Sequence, residues 1–120
     1  MIQPINLQQK FELFDDTWHP RIIAEVNDSY VKLARLEGEL VWHAHAEEDE
    51  LFLVLSGRLQ IRLRDGDLWL SPGEMAVIPH GVEHYPVAEG EVHVLLLEPK
   101  TTKHTGDVMT ERTVVTEDWI

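Results

Sequence analysis

The chain has 120 residues, which is enough for one hydrophobic core, and we predict a single domain over residues 1–120. Twenty-two acidic residues against ten Lys plus Arg give a formal net charge of −12, which repels nucleic-acid phosphates and anionic membrane surfaces. Neither is expected as a partner. The chain has no cysteine, which excludes disulfides, thiolate metal sites and thiol nucleophiles.

Hydropathy and the N-terminal sequence predict the compartment. No segment approaches the roughly 20 apolar residues that a membrane-spanning helix requires. The start, MIQPINLQQK, lacks the basic residues and apolar core of a secretory signal. We therefore expect a cytoplasmic protein.

Strand patterns dominate the chain after a first segment in which only residues 6–14 could form a short helix. Residues 21–98 alternate short apolar runs with turn signals, which is typical of an antiparallel sandwich or barrel. Residues 29–36 alternate strictly, with Val31 and Leu33 on one face and Lys32 on the other. The continuous apolar run 51–56 predicts a strand buried on both faces.

The second half of the pattern continues the barrel. Residues 58–64 alternate so that Leu59, Ile61 and Leu63 face inward, and Asp65-Gly66 predicts a tight hairpin turn. Further strands are predicted in DLWL, EMAVIP and VHVLLLEP. Residues 1–20 and 99–120 are less patterned, so we expect an arm and a C-terminal segment there, with TVVTEDWI as an edge strand. The fold class is all-β.

Two histidines stand one residue apart before the apolar run. Residues two apart on a strand share a face, so His43 and His45 converge on one point. If residues 46–49 turn the corner, Glu50 begins the next strand and can aim at the same point. Two imidazoles and a carboxylate form a ligand set for a divalent transition metal. A solvated polar loop is the alternative for this motif taken alone.

A second motif downstream favours the metal site over the solvated loop. GEMAVIPHGVEHYPVA, residues 73–88, adds His84 after a proline and glycine turn. The first motif of the cupin superfamily is resembled by His43 and His45, four residues, Glu50, six residues and Gly57. The second cupin motif is resembled by Gly73, five residues, Pro79, one residue, Gly81, two residues and His84. The 15 residues between Gly57 and Gly73 are similar to the short spacing of small microbial cupins.

The resemblance covers residues 30–98 and has two departures. The opening glycine of the family stands five residues before the paired histidines, whereas Gly38 leaves four. The asparagine that often ends the second motif is Ala88. Neither position is a metal ligand in the family, so the departures concern strand register and one hydrogen bond.

The resemblance implies a double-stranded β-helix, or jelly-roll, barrel that holds one divalent transition metal per chain. The implied ligands are His43, His45, Glu50 and His84. Four protein ligands leave two positions open on an ion that prefers six, which suits Fe, Mn, Ni or Co, whereas Zn could close a tetrahedral site. The sequence does not choose among these metals.

The resemblance implies a range of functions. Dioxygenases, isomerases, epimerases, lyases and decarboxylases occur in the family, and the label mannose-6-phosphate isomerase-like is common for such chains. In an enzyme the ion would act as a Lewis acid on a small organic ligand, with Glu50 shifting to serve as catalytic base. The alternative is a non-enzymatic module that binds the metal or a small molecule.

Several other residues are candidates for the pocket or for assembly. His93 could line the pocket, although a hydrogen-bonded wall residue is the other interpretation. Tyr85 is expected to face away from it, and neither His19 nor His104 is assigned a role. Under the fold that the resemblance implies, an apolar lining would be formed by Phe52, Val54, Ile61 and Leu95, and core packing explains these residues equally well. Subunit contacts or core packing could use Trp42, Trp69 and Trp119. Because a small open sandwich leaves edge strands to cover, we expect a homodimer.

Overall fold

The computed structural model describes residues 2–106, 108–110, 113–114 and 116–120. Strands dominate it, and helix is confined, within these residues, to one short segment. The elements are α1 (Leu7–Phe11), β1 (Arg21–Val26), β2 (Ser29–Glu39), β3 (Glu50–Ser56), β4 (Leu59–Leu63), β5 (Gly66–Leu70), β6 (Met75–Ile78), β7 (His84–Pro99) and β8 (Asp118–Trp119). The predicted all-β fold is confirmed.

The long strand β7 organises the sheet. It pairs antiparallel with β2 along nearly its whole length, and a register shift between Leu36 and Gly38 accommodates the difference between the two strands. Its first half also pairs with β4, which continues to β5, and its second half pairs with β3, which continues to β6. The result is a double-stranded β-helix. Gly38, with φ of 80°, lies at the shift, where the spacing departs from the cupin motif by one residue.

The barrel interior is packed by the side chains of alternate strand residues. Val54, Leu59, Ile61, Val92 and Val94 are completely buried there. Residues of the run 51–56 alternate instead of being buried on both faces, because the outward leucines are covered only in part. That prediction was wrong, since β3 faces the barrel interior on one side only.

A charged side chain is also buried in the barrel interior. On β2 the alternation is as predicted, but Lys32 is only 2% exposed and shares the inward parity of Ala34. Leu33 faces the outside, where it is buried in a second apolar cluster. The polar member of the alternating pattern is thus the inward one.

Helix α1 builds that second cluster on the outer face of the sheet. Asn6 caps the helix by accepting a hydrogen bond from the backbone N–H of Gln9 at 3.0 Å. Phe11 and Phe14 then pack against Ile23 and Leu33. The N-terminal residues 1–20 were expected to form an arm outside the core, and this expectation is corrected within the described residues because Phe11, Phe14 and Trp18 are buried.

The C-terminal segment folds back over the mouth of the barrel. Gly106, with φ of 58°, lies so close to the chain between His43 and His45 that a Cβ atom there would be 2.1 Å from the carbonyl oxygen of Ala44. β8 pairs parallel with β1, as an edge strand, although Val115 of the predicted strand lies outside the described residues. Nothing helical in the described part of the chain has the length and hydropathy to cross a membrane.

Candidate metal centre

Two residues from distant parts of the chain are joined through their backbones at the centre. The N–H of His43 donates to the carbonyl of His84 at 3.0 Å, and the N–H of His84 donates to the carbonyl of His43 at 2.9 Å. This reciprocal pairing brings the ring centroids to 4.2 Å. The two motifs are therefore fixed to each other by main-chain hydrogen bonds.

Two further contacts hold the connecting loop to the second motif. The N–H of Gly81 donates to the carbonyl of His45 at 2.7 Å, and the N–H of His80 donates to the carboxylate of Asp49 at 2.9 Å. Glu50 follows directly as the first residue of β3 and faces inward. The acidic loop is thus a corner that delivers a carboxylate beside the histidines.

The four predicted residues come together. His43, His45, Glu50 and His84 are all buried, and each offers a ligand atom within 4.8 Å of the others. Nε2 of His45 lies 3.6 Å from Oε1 of Glu50, and Nε2 of His84 lies 3.4 Å from the same oxygen. These three atoms are buried and have no hydrogen-bond partner. Buried polar atoms of this kind are normally paired, so the cluster has the character of a binding site.

Hydrogen bonds set the ring orientation of two histidines. Nδ1 of His43 donates to the carbonyl of Val41 at 2.8 Å, and Nδ1 of His84 donates to the carbonyl of Val82 at 3.0 Å. In a neutral imidazole this places the proton on Nδ1 and leaves the Nε2 lone pair free. Backbone carbonyls therefore orient both rings as ligands.

The electrostatics favour a cation. Burial, with the neighbouring His84, lowers the pKa of His43 to about 4, so this ring is neutral at pH 7. Burial alone would raise the pKa of Glu50, but the neighbouring Glu98 carboxyl group and the imidazoles of His45 and His84 outweigh it and hold that pKa well below its usual value. Neutral His43 and ionised Glu50 could supply an uncharged ligand and a charged one to a divalent ion.

A buried network stands behind Glu50. Leu51 pairs with Leu97 across β3 and β7, so the next residues in register, Glu50 and Glu98, face each other inside the barrel. Burial and the charge of Glu50 raise the pKa of Glu98 well above its usual value. Lys32 donates to Glu98 at 2.7 Å and to Glu117 at 2.8 Å. Glu98 in its protonated form can donate to Glu50 and so hold the ligand carboxylate in place.

A small cavity adjoins His43 and Glu50. Its volume is about 30 Å³, which is room for one or two water molecules. Apolar side chains form most of its wall: Trp18, Pro20, Ala34, Leu36, Leu40, Phe52, Pro86, Val94 and Leu96. The remaining lining residue is His104.

The structure separates the remaining sequence candidates. His93 lies outside the barrel, where it stacks on Phe11 at 4.4 Å and contacts Arg35 at 3.1 Å, so the pocket role is wrong and the hydrogen-bonded role stands. Leu95 likewise belongs to the outer cluster, which corrects its placement in the lining. Both errors follow from reading the parity of β7 with the wrong face inward. Phe52 does line the cavity.

Most of the aromatic candidates lie outside the cavity. Tyr85 faces away from the cavity, as predicted, and donates to Glu39 at 2.6 Å. Trp42 packs against Tyr85, while Trp69 and Trp119 are 41% and 51% exposed. His80 is an exposed residue of the turn before His84.

Four residues near the site were not singled out from the sequence: Trp18, Lys32, Glu98 and His104. Glu98 and Lys32 carry a usable signal, because each follows the inward parity of its strand. Trp18 and His104 lie outside the strands, in segments that only tertiary contacts bring to the cavity. No local pattern marks them.

The residues present fit a divalent metal ion. Imidazole nitrogens and one carboxylate oxygen converge, and the buried ligand atoms of His45, Glu50 and His84 have no hydrogen-bond partner. On a jelly-roll barrel, this arrangement defines a cupin. The comparison with known families agrees, because the cupin domain matches residues 30–99, and the chain belongs to this family.

Two solved structures resemble the chain over most of its length, and one protein sequence resembles about half of it. A cupin-2 domain containing protein from Shewanella frigidimarina is 52% identical, with a TM-score of 0.79 over 80% of this chain and 94% of its own. Protein NMB1881 from Neisseria meningitidis is 30% identical, with a TM-score of 0.74 over 82% of this chain and all of its own. The uncharacterized protein YdbB of Bacillus subtilis is 44% identical over 63 residues, and the match spans 52% of this chain and 56% of YdbB.

Proposed function

We propose that this cupin binds one divalent transition metal ion per chain through His43, His45, Glu50 and His84, and that open positions on the ion take a small organic ligand. Fe, Mn, Ni, Co and Zn all suit nitrogen and oxygen donors. The observation that carries the proposal is the convergence of four buried donor groups, of which His45, Glu50 and His84 present buried atoms that have no hydrogen-bond partner.

The reactive chemistry would divide between the ion and one side chain. A bound divalent ion supplies Lewis-acid activation of an oxygen ligand. Glu50 is the carboxylate that accepts a proton from that ligand, and its depressed pKa keeps it ionised at neutral pH. Glu98 lies behind the carboxyl group of Glu50 and would hold it in position beside the bound ion.

Metal binding without turnover is the second candidate function. The cavity beside His43 and Glu50 has a volume of only about 30 Å³, which favours a module that holds an ion with water. A substrate screen with the metal-loaded protein, with and without air, separates the two candidates. Turnover that disappears in Glu50→Gln would establish the enzyme.

Metal content after purification and dialysis against a mild chelator tests the metal site itself. The wild-type protein should retain about one equivalent of metal, and His43→Ala and His84→Ala should lose it, because an incomplete ligand set binds weakly. His80→Ala is the matched control, since His80 lies in the same turn as the second motif but is exposed. A wild-type protein that holds none of the five metals would overturn the proposal.

A homodimer is the assembly we propose. Met75 and Val77 on β6 are 56% and 48% exposed, and they lie in register beside Leu53 and Leu51 of β3. Leu95 and Leu97 of β7 continue the same rows. An apolar sheet face of this kind, ending at a strand that pairs on one side only, suits burial against a second copy.

A further inference from the structure

His104 is placed between the inner cavity and the outside. It lines the cavity of about 30 Å³ together with His43 and Glu50. It also lines a groove of about 420 Å³ formed by the C-terminal segment, including Thr102 and Met109. Among the described residues that line these two spaces, His104 is the one common to both.

One hydrogen bond fixes the form of the imidazole. The backbone N–H of Val114 donates to Nδ1 of His104 at 3.1 Å. Nδ1 must then carry a lone pair, so in the neutral ring the proton is on Nε2. Among the described residues, none makes a hydrogen bond to this Nε2. Burial lowers the pKa of His104 to about 4, which keeps the ring neutral at pH 7.

The cavity offers few other polar side chains. His43 and Glu50 belong to the metal centre, and the indole N–H of Trp18 is donated to the carbonyl of Glu37 at 2.7 Å. The rest of the wall is hydrocarbon. His104 thus adds a second N–H donor to this wall outside the metal centre, beside the indole N–H of Trp18, which donates to Glu37.

The segment that carries His104 is anchored. The N–H of Thr102 donates to the carbonyl of Pro99 at 3.0 Å, and Thr105 is completely buried with its hydroxyl bonded to the carbonyl of Val108. Gly106 packs directly on Ala44, between the two histidines of the first motif. These contacts hold His104 at a set position relative to His43 and His45.

We propose that His104 is a ligand-recognition residue whose Nε2–H donates a hydrogen bond to a compact anion, such as a carboxylate or a deprotonated hydroxyl, bound at the metal centre. The inference rests on the proposed metal site and names the class of ligand that the site selects. A neutral donor in an apolar wall favours an anionic acceptor, because a hydrogen bond to a charged group is stronger than one between neutral groups.

Azide binding to the Co(II)-loaded protein tests the assignment, followed by visible absorption. His104→Asn retains an acceptor for the N–H of Val114 but lacks the donor at the Nε2 position, whereas His104→Gln can place an amide N–H near it. We expect azide to bind about ten- to a hundredfold more weakly to His104→Asn, with unchanged cobalt content, and His104→Gln to recover part of the loss.

His80→Asn, at an exposed histidine, should bind azide like the wild type. Wild-type affinity for azide in His104→Asn would overturn the proposal, and so would loss of cobalt from this variant, because His104 would then be a ligand. If the proposed metal site is wrong, the wild type does not bind cobalt, and this is seen before azide is added. That result would remove the inference about His104 too. If only the role of His104 is wrong, the wild type binds cobalt and the variants bind azide normally.

Discussion

The ammonium group of Lys32 lies 2.7 Å from Oε1 of Glu98 inside the barrel, where Lys32 is 2% exposed and Glu98 is 4% exposed. Both side chains belong to strands that flank the metal centre, β2 and β7. Burying an ammonium group costs free energy unless the group is paired, and here Lys32 is bonded to Glu98 and Glu117, while Glu98 adjoins the carboxylate of Glu50. The side chains of this network therefore affect both the stability of the barrel and the metal centre.

Removing the cation should destabilise the protein. Lys32→Met leaves Glu98 and Glu117 without their shared partner, and we expect the free energy of unfolding to fall by about 3 kcal/mol, because breaking a buried pair strands a buried acid. Urea denaturation measures the change. Lys100→Met is the control, since its pair with Glu25 is exposed and should matter little. Equal effects of the two variants would show that burial of Lys32 is unimportant.

Glu98 should control metal affinity without being a ligand. Glu98→Leu removes the side chain that holds Glu50, and we expect the dissociation constant for the metal to rise about 10–100-fold, as for other partners of metal ligands. Glu98→Gln retains a donor and should lose less. Competition with a chelator gives the constants, and Glu91→Gln, at an exposed acid, is the control. Unchanged affinity in Glu98→Leu would contradict this role.

Acid should weaken the metal-free protein through its buried histidines. The pKa values of His43 and His104 fall from 6.5 to about 4 on folding, so between these pH values the unfolded chain binds more protons. The free energy of unfolding then decreases as the pH falls, by up to about 1.4 kcal/mol per pH unit for each group, and above pH 6.5 neither group contributes.

The difference between the wild type and His104→Asn isolates one of these two terms. Glu98, with its raised pKa, acts in the opposite direction but is common to both proteins. Urea denaturation at several pH values between 6.5 and 4 should give a shallower loss of stability in the variant. Parallel pH profiles for the two proteins would show that His104 does not titrate as described.

The contact of Gly106 with Ala44 should be intolerant of a side chain. Gly106→Ala adds a methyl group 2.1 Å from a carbonyl oxygen at a φ of 58°, so both a clash and backbone strain result. Gly90→Ala, at a φ of 76° in open space, adds strain alone, of about 1–2 kcal/mol. Thermal denaturation should show the larger loss for Gly106→Ala, and the reverse order would place the C-terminal segment elsewhere.

Charge on the exposed face of β6 should dissociate the proposed dimer. Light scattering of the wild type should give twice the chain mass, and Val77→Glu should give a mass near 13.9 kDa, because a buried unpaired charge opposes association. Val26→Glu, at an exposed valine of β1, is the control. A wild type that scatters as a monomer at micromolar concentration would exclude the dimer.

The sequence by itself determined the strands and the four residues of the candidate centre. Strand alternation and turn residues are local properties, so β4 and the turn before β5 follow from residues 58–66 alone. The spacing of His43, His45 and Glu50 is likewise short enough that parity and one corner settle their convergence. Pairing with His84 needed the family resemblance, because the hydrogen bonds that join His43 to His84 span some forty residues.

The tertiary structure alone decided which face of each strand is inside and what closes the barrel. Lys32 and Glu98 are 66 positions apart, and the hydrogen bonds of Lys32 to Glu98 and Glu117 make an inward lysine stable where alternation alone would place it in solvent. His104 and Trp18 reach the cavity from segments without periodicity, through packing on Ala44 and on the end of the barrel. Contacts between distant segments are set by the summed packing of the whole chain, which no local pattern encodes.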